Sequence, residues 1–305
     1  MVEDKIICEI KERYDINVKN YRKISRLMFR ESLYFEDCSG YKYILKKYPK
    51  SLPTEDILSI VKLYLELEKY GIKTNRVVTD CNDVPFFEIA NGKYILFTFL
   101  DGNRCSVDEW KMKVGGSLRE LHNSMVTLNP TLAQVSTYEQ VNSCIKNITR
   151  WEEIDELSHV INCMADKNLE ICRNYNPFSQ TIIHGDCTRN NCIIYNDKIM
   201  FIDFDNFKIG DPLEDVANVA NSVIYDEEII ALKEKENIIK HIIYDYNLKK
   251  DDIVRMKNYM KINCIIELYK HREHYKYLRR TPGTKEYLKK LIYIIEYAVD
   301  EVVRD

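Results

Sequence analysis

The stretch Thr181 to Ala220, TIIHGDCTRNNCIIYNDKIMFIDFDNFKIGDPLEDVANVA, constrains this chain more than any other. An apolar run ends at Ile183, a polar loop follows, and two β-rich runs, Cys192 to Tyr195 and Lys198 to Phe204, flank the turn pair Asn196-Asp197. This pattern predicts a β-hairpin. With the turn centred on that pair, register sets Asp203 across from Asn190, so the Asp203 carboxylate and the Asn191 amide converge at the open end of the hairpin. A carboxylate and an amide oxygen side by side suit Mg²⁺, a hard cation that keeps waters or phosphate oxygens for its remaining positions. Asp186 lies a short loop away, where a carboxylate can accept the proton of an attacking hydroxyl in phosphoryl transfer.

The other polar residues of the stretch read as supports. The His184 imidazole is expected to hydrogen-bond backbone and fix the loop rather than act as the base. Asp205 is either a second metal contact or a polar residue beside the site. Asp211, before Pro212, reads as a turn former, and Asp215 as a residue that binds backbone N–H groups of the loop from a helix start. Cys187 and Cys192 frame the loop as packing residues.

These residues carry a resemblance. His184, Asp186, Asn191, Ile202, Asp203, Phe204 and Asp205, followed by Gly210, Asp211, Pro212, Asp215 and Ala217, resemble in order the core of the aminoglycoside phosphotransferase and choline kinase superfamily. Upstream, Tyr43-Ile44-Leu45-Lys46 resembles the third strand of a kinase small lobe, whose terminal lysine neutralises the nucleotide's α- and β-phosphates. Strand alternation puts Ile44 on the face of Lys46, where it would cover adenine, and turns Lys47 away. Tyr94 to Gly102 resembles the hinge, and Val114 to Ser124 the family's Leu-x-x-Leu-His helix.

The resemblance implies an α+β, protein-kinase-like two-lobed fold: a small β-rich nucleotide-binding lobe, residues 1–100, and a large mainly helical catalytic and acceptor-binding lobe, residues 101–305, with the catalytic hairpin. It implies a Mg²⁺-dependent small-molecule kinase using ATP or GTP, with Asp186 as base, Asn191 and Asp203 as metal ligands, and Lys46 and Ile44 on the nucleotide. A non-catalytic, spore-coat-like protein of the same fold is the alternative. It is suggested by the absence of glycine between Arg22 and Glu31, where the turn Ser25 to Met28 should cover the phosphates. A protein kinase is disfavoured, because only seven residues separate Asp203 from Asp211 and no Ala-Pro-Glu block follows.

Local signals fill in the frame. Thr54 is expected to cap a helix carrying Ile57, Ile60, Val61, Tyr64 and Leu67 on one face, and Asn91-Gly92 to turn a hairpin. Ser106 and Glu109 form a capping box before the stripe Trp110, Val114, Leu118, Leu121. The 305 residues, 45% hydrophobic, suffice for a large core, and a net charge of −3 leaves no nucleic-acid footprint. The charged start MVEDKIICEIKER and the lack of long apolar runs point to a cytosolic protein that neither spans nor binds a membrane. Ten scattered cysteines, none in a C-x-x-C pair, read as reduced thiols.

The acceptor side is divided. Glu152, Glu153, Asp155, Glu156, Asp226, Glu227 and Glu228 would wall a site for an amine, with Tyr269, Tyr275 and Tyr277 adding aromatic faces. His271, Arg272, Lys276, Arg279 and Arg280 would suit an anion instead. The expectation is a cationic amino sugar or choline-like amino alcohol.

Overall fold

The computed structural model describes residues 2–24, 31–89, 92–148, 151–272, 275–278, 280–281 and 283–303. The expected phosphate-covering turn Ser25 to Met28, Asn91 of the hairpin turn, and Arg279 lie outside the described residues. The chain separates into two units, Met1–Gly102 and Asn103–Asp305.

The first unit is a twisted antiparallel sheet with two helices. Its elements are α1 (Val2–Tyr14), β1 (Val18–Lys23), β2 (Ser32–Asp37), β3 (Lys42–Pro49), α2 (Thr54–Lys69), β4 (Val77–Val78), β5 (Phe87–Ile89) and β6 (Gly92–Thr98). The strands run β1-β2-β3-β6, and β4 and β5 share the far edge of β6. Alternation sorts the side chains by face. Leu33, Phe35, Leu45, Tyr94 and Leu96 pack with Ile6, Ile10 and Tyr14 of α1. Ile44, Lys46, Ile95 and Phe97 alternate onto the opposite face, where Tyr64 of α2 meets the Phe97 ring at 4.8 Å. Thr54 is the first residue of α2 and not its cap: Pro53 occupies the cap position, and the Thr54 hydroxyl instead accepts from buried Lys93 at 3.2 Å.

The second unit is mainly helical. It comprises β7 (Asn103–Arg104), α3 (Val107–Met125), α4 (Thr137–Asn147), α5 (Glu156–Cys163), α6 (Ala165–Arg173), β8 (Thr181–Ile183), β9 (Cys192–Tyr195), β10 (Lys198–Phe201), β11 (Lys208–Gly210), α7 (Pro212–Tyr225), α8 (Leu232–Tyr246), α9 (Lys250–Lys270), α10 (Tyr275–Leu278), α11 (Thr284–Tyr293) and α12 (Val299–Val302). The expected Ser106–Glu109 capping box opens α3, and Trp110, Val114, Leu118 and Leu121 are all buried. α7 and α9 pack together, and Val216, Ala217 and Ala220 of α7 and Met260 and Ile265 of α9 are fully buried.

β9 and β10 form the expected hairpin, pairing Lys198 with Tyr195 through Phe201 with Cys192. Asn196 and Asp197 both have positive φ, as a two-residue hairpin turn of matching twist requires. The second strand is shorter than its sequence implies. It stops at Phe201, Asp203 turns into the left-handed region (φ +68°), and Phe204–Asn206 form a 3-10 turn. Asp205 therefore sits in that turn and not on a strand.

Candidate active site

The loop between β8 and β9 is held from three sides. Asp215, on the first turn of α7 and fully buried, accepts the His184 and Gly185 amides, each at 2.8 Å. Burial alone would raise its pKa, but hydrogen bonds from His122 and these amides outweigh it and hold the carboxyl below its ordinary value. His184 is fully buried, and its Nδ1 accepts the Asp186 amide at 3.2 Å while Nε2 lies 3.1 Å from the Ile202 carbonyl. Nδ1 is thus the acceptor and Nε2 carries the proton. Burial lowers the His184 pKa, and the ring packs against Phe204 at 4.3 Å. Its bonds go to backbone, as expected of a loop-fixing residue.

Gly185 completes the turn with φ +80°. A Cβ there would stand 2.1 Å from the Asn206 carbonyl oxygen, so no other residue fits. That close approach also brings Asn206 to Asp186, whose Oδ2 accepts the Asn206 side-chain amide at 3.2 Å. Burial, reinforced by the Asp203 carboxylate, pushes the Asp186 carboxyl up to about 6.

Asn191 points its two amide atoms to different tasks. Its Nδ2 donates to the Asp186 carbonyl at 3.0 Å, leaving the side-chain oxygen as an acceptor. The Ile202 amide donates to the Asn191 carbonyl at 2.9 Å, which carries the hairpin register one residue past β10, to the residue before Asp203. Among the described residues no three His, Cys, Asp or Glu side chains cluster as a metal site. A cation here would have two protein oxygens and fill its other positions with phosphate or water, which fits Mg²⁺ and not zinc. The upward push of the Asp203 carboxylate on Asp186 is also what a divalent cation relieves.

In the first unit, Ile44 and Lys46 share a face of β3, and the Lys46 ammonium lies 5.3 Å from the Phe97 ring centre. Lys47 turns the other way and pairs with Glu31 at 3.1 Å.

The sequence model described as the phosphotransferase enzyme family matches residues 30–237. The chain belongs to that family. It is a phosphotransferase, and its catalytic segment is the one that resembles the aminoglycoside phosphotransferase and choline kinase superfamily. None of the curated proteins matches the sequence. Solved structures share the fold at low identity, which makes this a protein-kinase-like fold of two lobes. An amicoumacin kinase in complex with AMP-PNP, Ca²⁺ and its antibiotic aligns with TM-score 0.78 at 13% identity, over 97% of this chain and 93% of that one. A microcompartment-associated aminopropanol kinase aligns with TM-score 0.72 at 15% identity, over 95% and 94%. An ethanolamine kinase from Plasmodium vivax gives 0.63 at 16% identity, over 90% and 82%.

The acidic wall expected on the acceptor side of this phosphotransferase is largely committed elsewhere. Asp226 and Glu228 clamp the Arg189 guanidinium, each at 2.9 Å, so Arg189 ties the loop to the segment after α7. Glu227 pairs with Lys290 at 2.6 Å. Asp155 caps α5 and binds Lys285 and the Tyr275 hydroxyl. Tyr275 and Tyr269 are buried against Trp151, and only Tyr277 is exposed. Asp211 caps α7 and also accepts from Tyr259 at 3.1 Å.

Sequence reasoning missed Asn206, His122 and Glu267. Asn206 carries no signal, because its role depends on the left-handed turn at Asp203. His122 stands in the Leu-His helix, a signal that was present but had no partner attached. Glu267 sits on α9, one turn beyond Asn263, whose side chain donates to Asn218 at 2.8 Å. Asn218 in turn lies 3.4 Å from the Gly185 carbonyl. After burial, which dominates, the Glu267 charge adds a smaller upward push to Asp186 and Tyr287, and Glu267 is itself paired with Lys270.

Proposed function

We propose that the protein is a Mg²⁺-dependent small-molecule kinase that moves the γ-phosphoryl group of ATP or GTP to a hydroxyl of a small cationic acceptor, an aminoglycoside or a choline-like amino alcohol. What supports this reading is Asp186, lifted by burial and by the Asp203 carboxylate, with the Asn191 side chain tied to its carbonyl. Asp186 takes the proton of the acceptor hydroxyl as that oxygen bonds to the γ-phosphorus and the bond to the leaving nucleoside diphosphate breaks. Asn191 and Asp203 hold the cation, which when bound supplies positive charge for the transferring group. Lys46 contacts the α- and β-phosphates and Ile44 covers the base. His184, Asp211 and Asp215 keep the loop in place, and Asp205 stays beside it.

The names of two similar structures support an amine-bearing acceptor. Aminopropanol and ethanolamine, named for two of the similar structures, are amino alcohols, and a nucleotide analogue occupies a third. ADP release from Mg-ATP against a panel of aminoglycosides, choline-like amino alcohols, neutral sugars and nucleosides tests the reading. Turnover is expected with amine-bearing hydroxyl compounds. Release with none of them refutes the kinase, and release only with acids or neutral sugars refutes the acceptor class.

A further inference from the structure

The catalytic loop hangs on Asp215, and Asp215 is itself held. His122 of α3 places Nε2 3.1 Å from Asp215 Oδ2, and its Nδ1 lies 2.6 Å from the Tyr246 hydroxyl at the end of α8. His122 is 6% exposed and Asp215 not at all, so neither can exchange these partners for water. We propose that Tyr246 is a positioning residue, acting through His122 and Asp215 to fix the backbone of the loop that carries Asp186.

The packing that makes the contact is written into the helices. A Cβ at Gly115 would stand 2.8 Å from the Ile242 carbonyl oxygen and 2.9 Å from Asp245 Cβ, so glycine is what lets α8 lie this close to α3. His122 follows Gly115 by two turns on the same face, and Tyr246 follows Ile242 by one. The rings of His122 and Tyr246 meet edge-on at 5.7 Å.

Chemistry gives the contact a direction. Ionised Asp215 only accepts, so Nε2 of His122 must carry the proton. With one proton on the ring, Nδ1 is the acceptor and the Tyr246 hydroxyl donates to it, which fixes the tautomer. Without that hydroxyl, Nδ1 is a buried acceptor with no donor. The alternative tautomer then turns an Nε2 lone pair against the Asp215 carboxylate. Asp215 loses the His122 donor and is free to shift, and the His184 and Gly185 amides shift with it.

The test is Tyr246→Phe, which keeps the ring and removes only the hydroxyl, with exposed Tyr244→Phe on the same helix as control. Amide hydrogen exchange reads the loop without reference to any substrate, so the outcome is independent of the kinase reading. In Tyr246→Phe the His184 and Gly185 amides are expected to exchange at least about tenfold faster, while those of the Cys192–Phe201 hairpin keep their wild-type rates. With an acceptor in hand, kcat is expected to fall about 10- to 100-fold, with nucleotide KM unchanged, because the base is misplaced and not removed. Unchanged exchange at His184 and Gly185 overturns the proposal. So does equal acceleration across the hairpin, which would mean a general loss of stability.

Discussion

At the residue scale Asp186, the proposed base, is a half-buried carboxyl raised to about 6, with one oxygen held by Asn206 and its main-chain carbonyl tied to Asn191. Replacing it with Asn keeps the shape and the hydrogen bonds but removes the proton acceptor. Asp186→Asn is therefore expected to lower kcat about 10²- to 10⁴-fold while nucleotide affinity, measured by calorimetry, stays near wild type. Turnover close to wild type would remove Asp186 from the role. His184 and Asp215 lie one and two hydrogen bonds behind it and bind the backbone of the loop, with Asp215 also held by His122, so they act by holding the loop. The residue types and their spacing were legible in the sequence. The partner of each was not, because Asn206 and His122 reach the site through a left-handed turn and a helix crossing that no local pattern encodes.

At the scale of elements, β3 offers a test of register. Lys46 and Lys47 are neighbours with the same charge, yet they lie on opposite faces, one over Phe97 and one paired to Glu31. Lys46→Met is expected to raise the nucleotide KM with little change in Tm, and Lys47→Met to leave the KM alone; steady-state kinetics on the two variants decide it. The reverse result would put the wrong face toward the nucleotide. The start of α5 carries a second prediction. Burial would raise the Asp155 pKa, but Lys285, the Ser158 amide and the Tyr275 hydroxyl prevail and hold it at about 2, against 3.8. A folded pKa below the unfolded one gives stability that is present above pH 3.8 and lost as pH falls through 2. The difference amounts to about 2 kcal/mol at neutral pH. Asp155→Asn is expected to cost roughly that in urea titrations at pH 7 and about half of it at pH 3. A pH-independent loss would mean that capping geometry, not charge, matters there. Asp155 was expected to face an amine, and the chain alone could not reveal that a lysine more than a hundred residues away would claim it.

For the molecule as a whole, binding is linked to stability: whatever binds only the folded chain raises its Tm. Mg-nucleotide at about 100 times its Kd should add about 2.7 kcal/mol, and scanning calorimetry with and without Mg²⁺ should show the shift. In Asp203→Ala the Mg²⁺-dependent part of the shift is expected to vanish, because the Asn191 oxygen alone does not balance a divalent charge. An undiminished shift would place the cation elsewhere. The sequence by itself determined the family, the hairpin with its Asn196-Asp197 turn, the Ser106–Glu109 cap and the order of Asp186, Asn191 and Asp203. The family came from the resemblance of the ordered motif residues, and the others are set by local periodicity, turn chemistry or spacing, which act over a few residues. Only the tertiary structure decided the rest: that β10 ends at Phe201, that the acidic residues from Asp226 to Glu228 are spent on Arg189 and Lys290, and that Asn206 and Tyr246 bear on the loop. The reason is physical. A charge or a hydroxyl acts on whatever packing brings within a few ångströms, and helix crossings bring together residues that lie far apart along the chain.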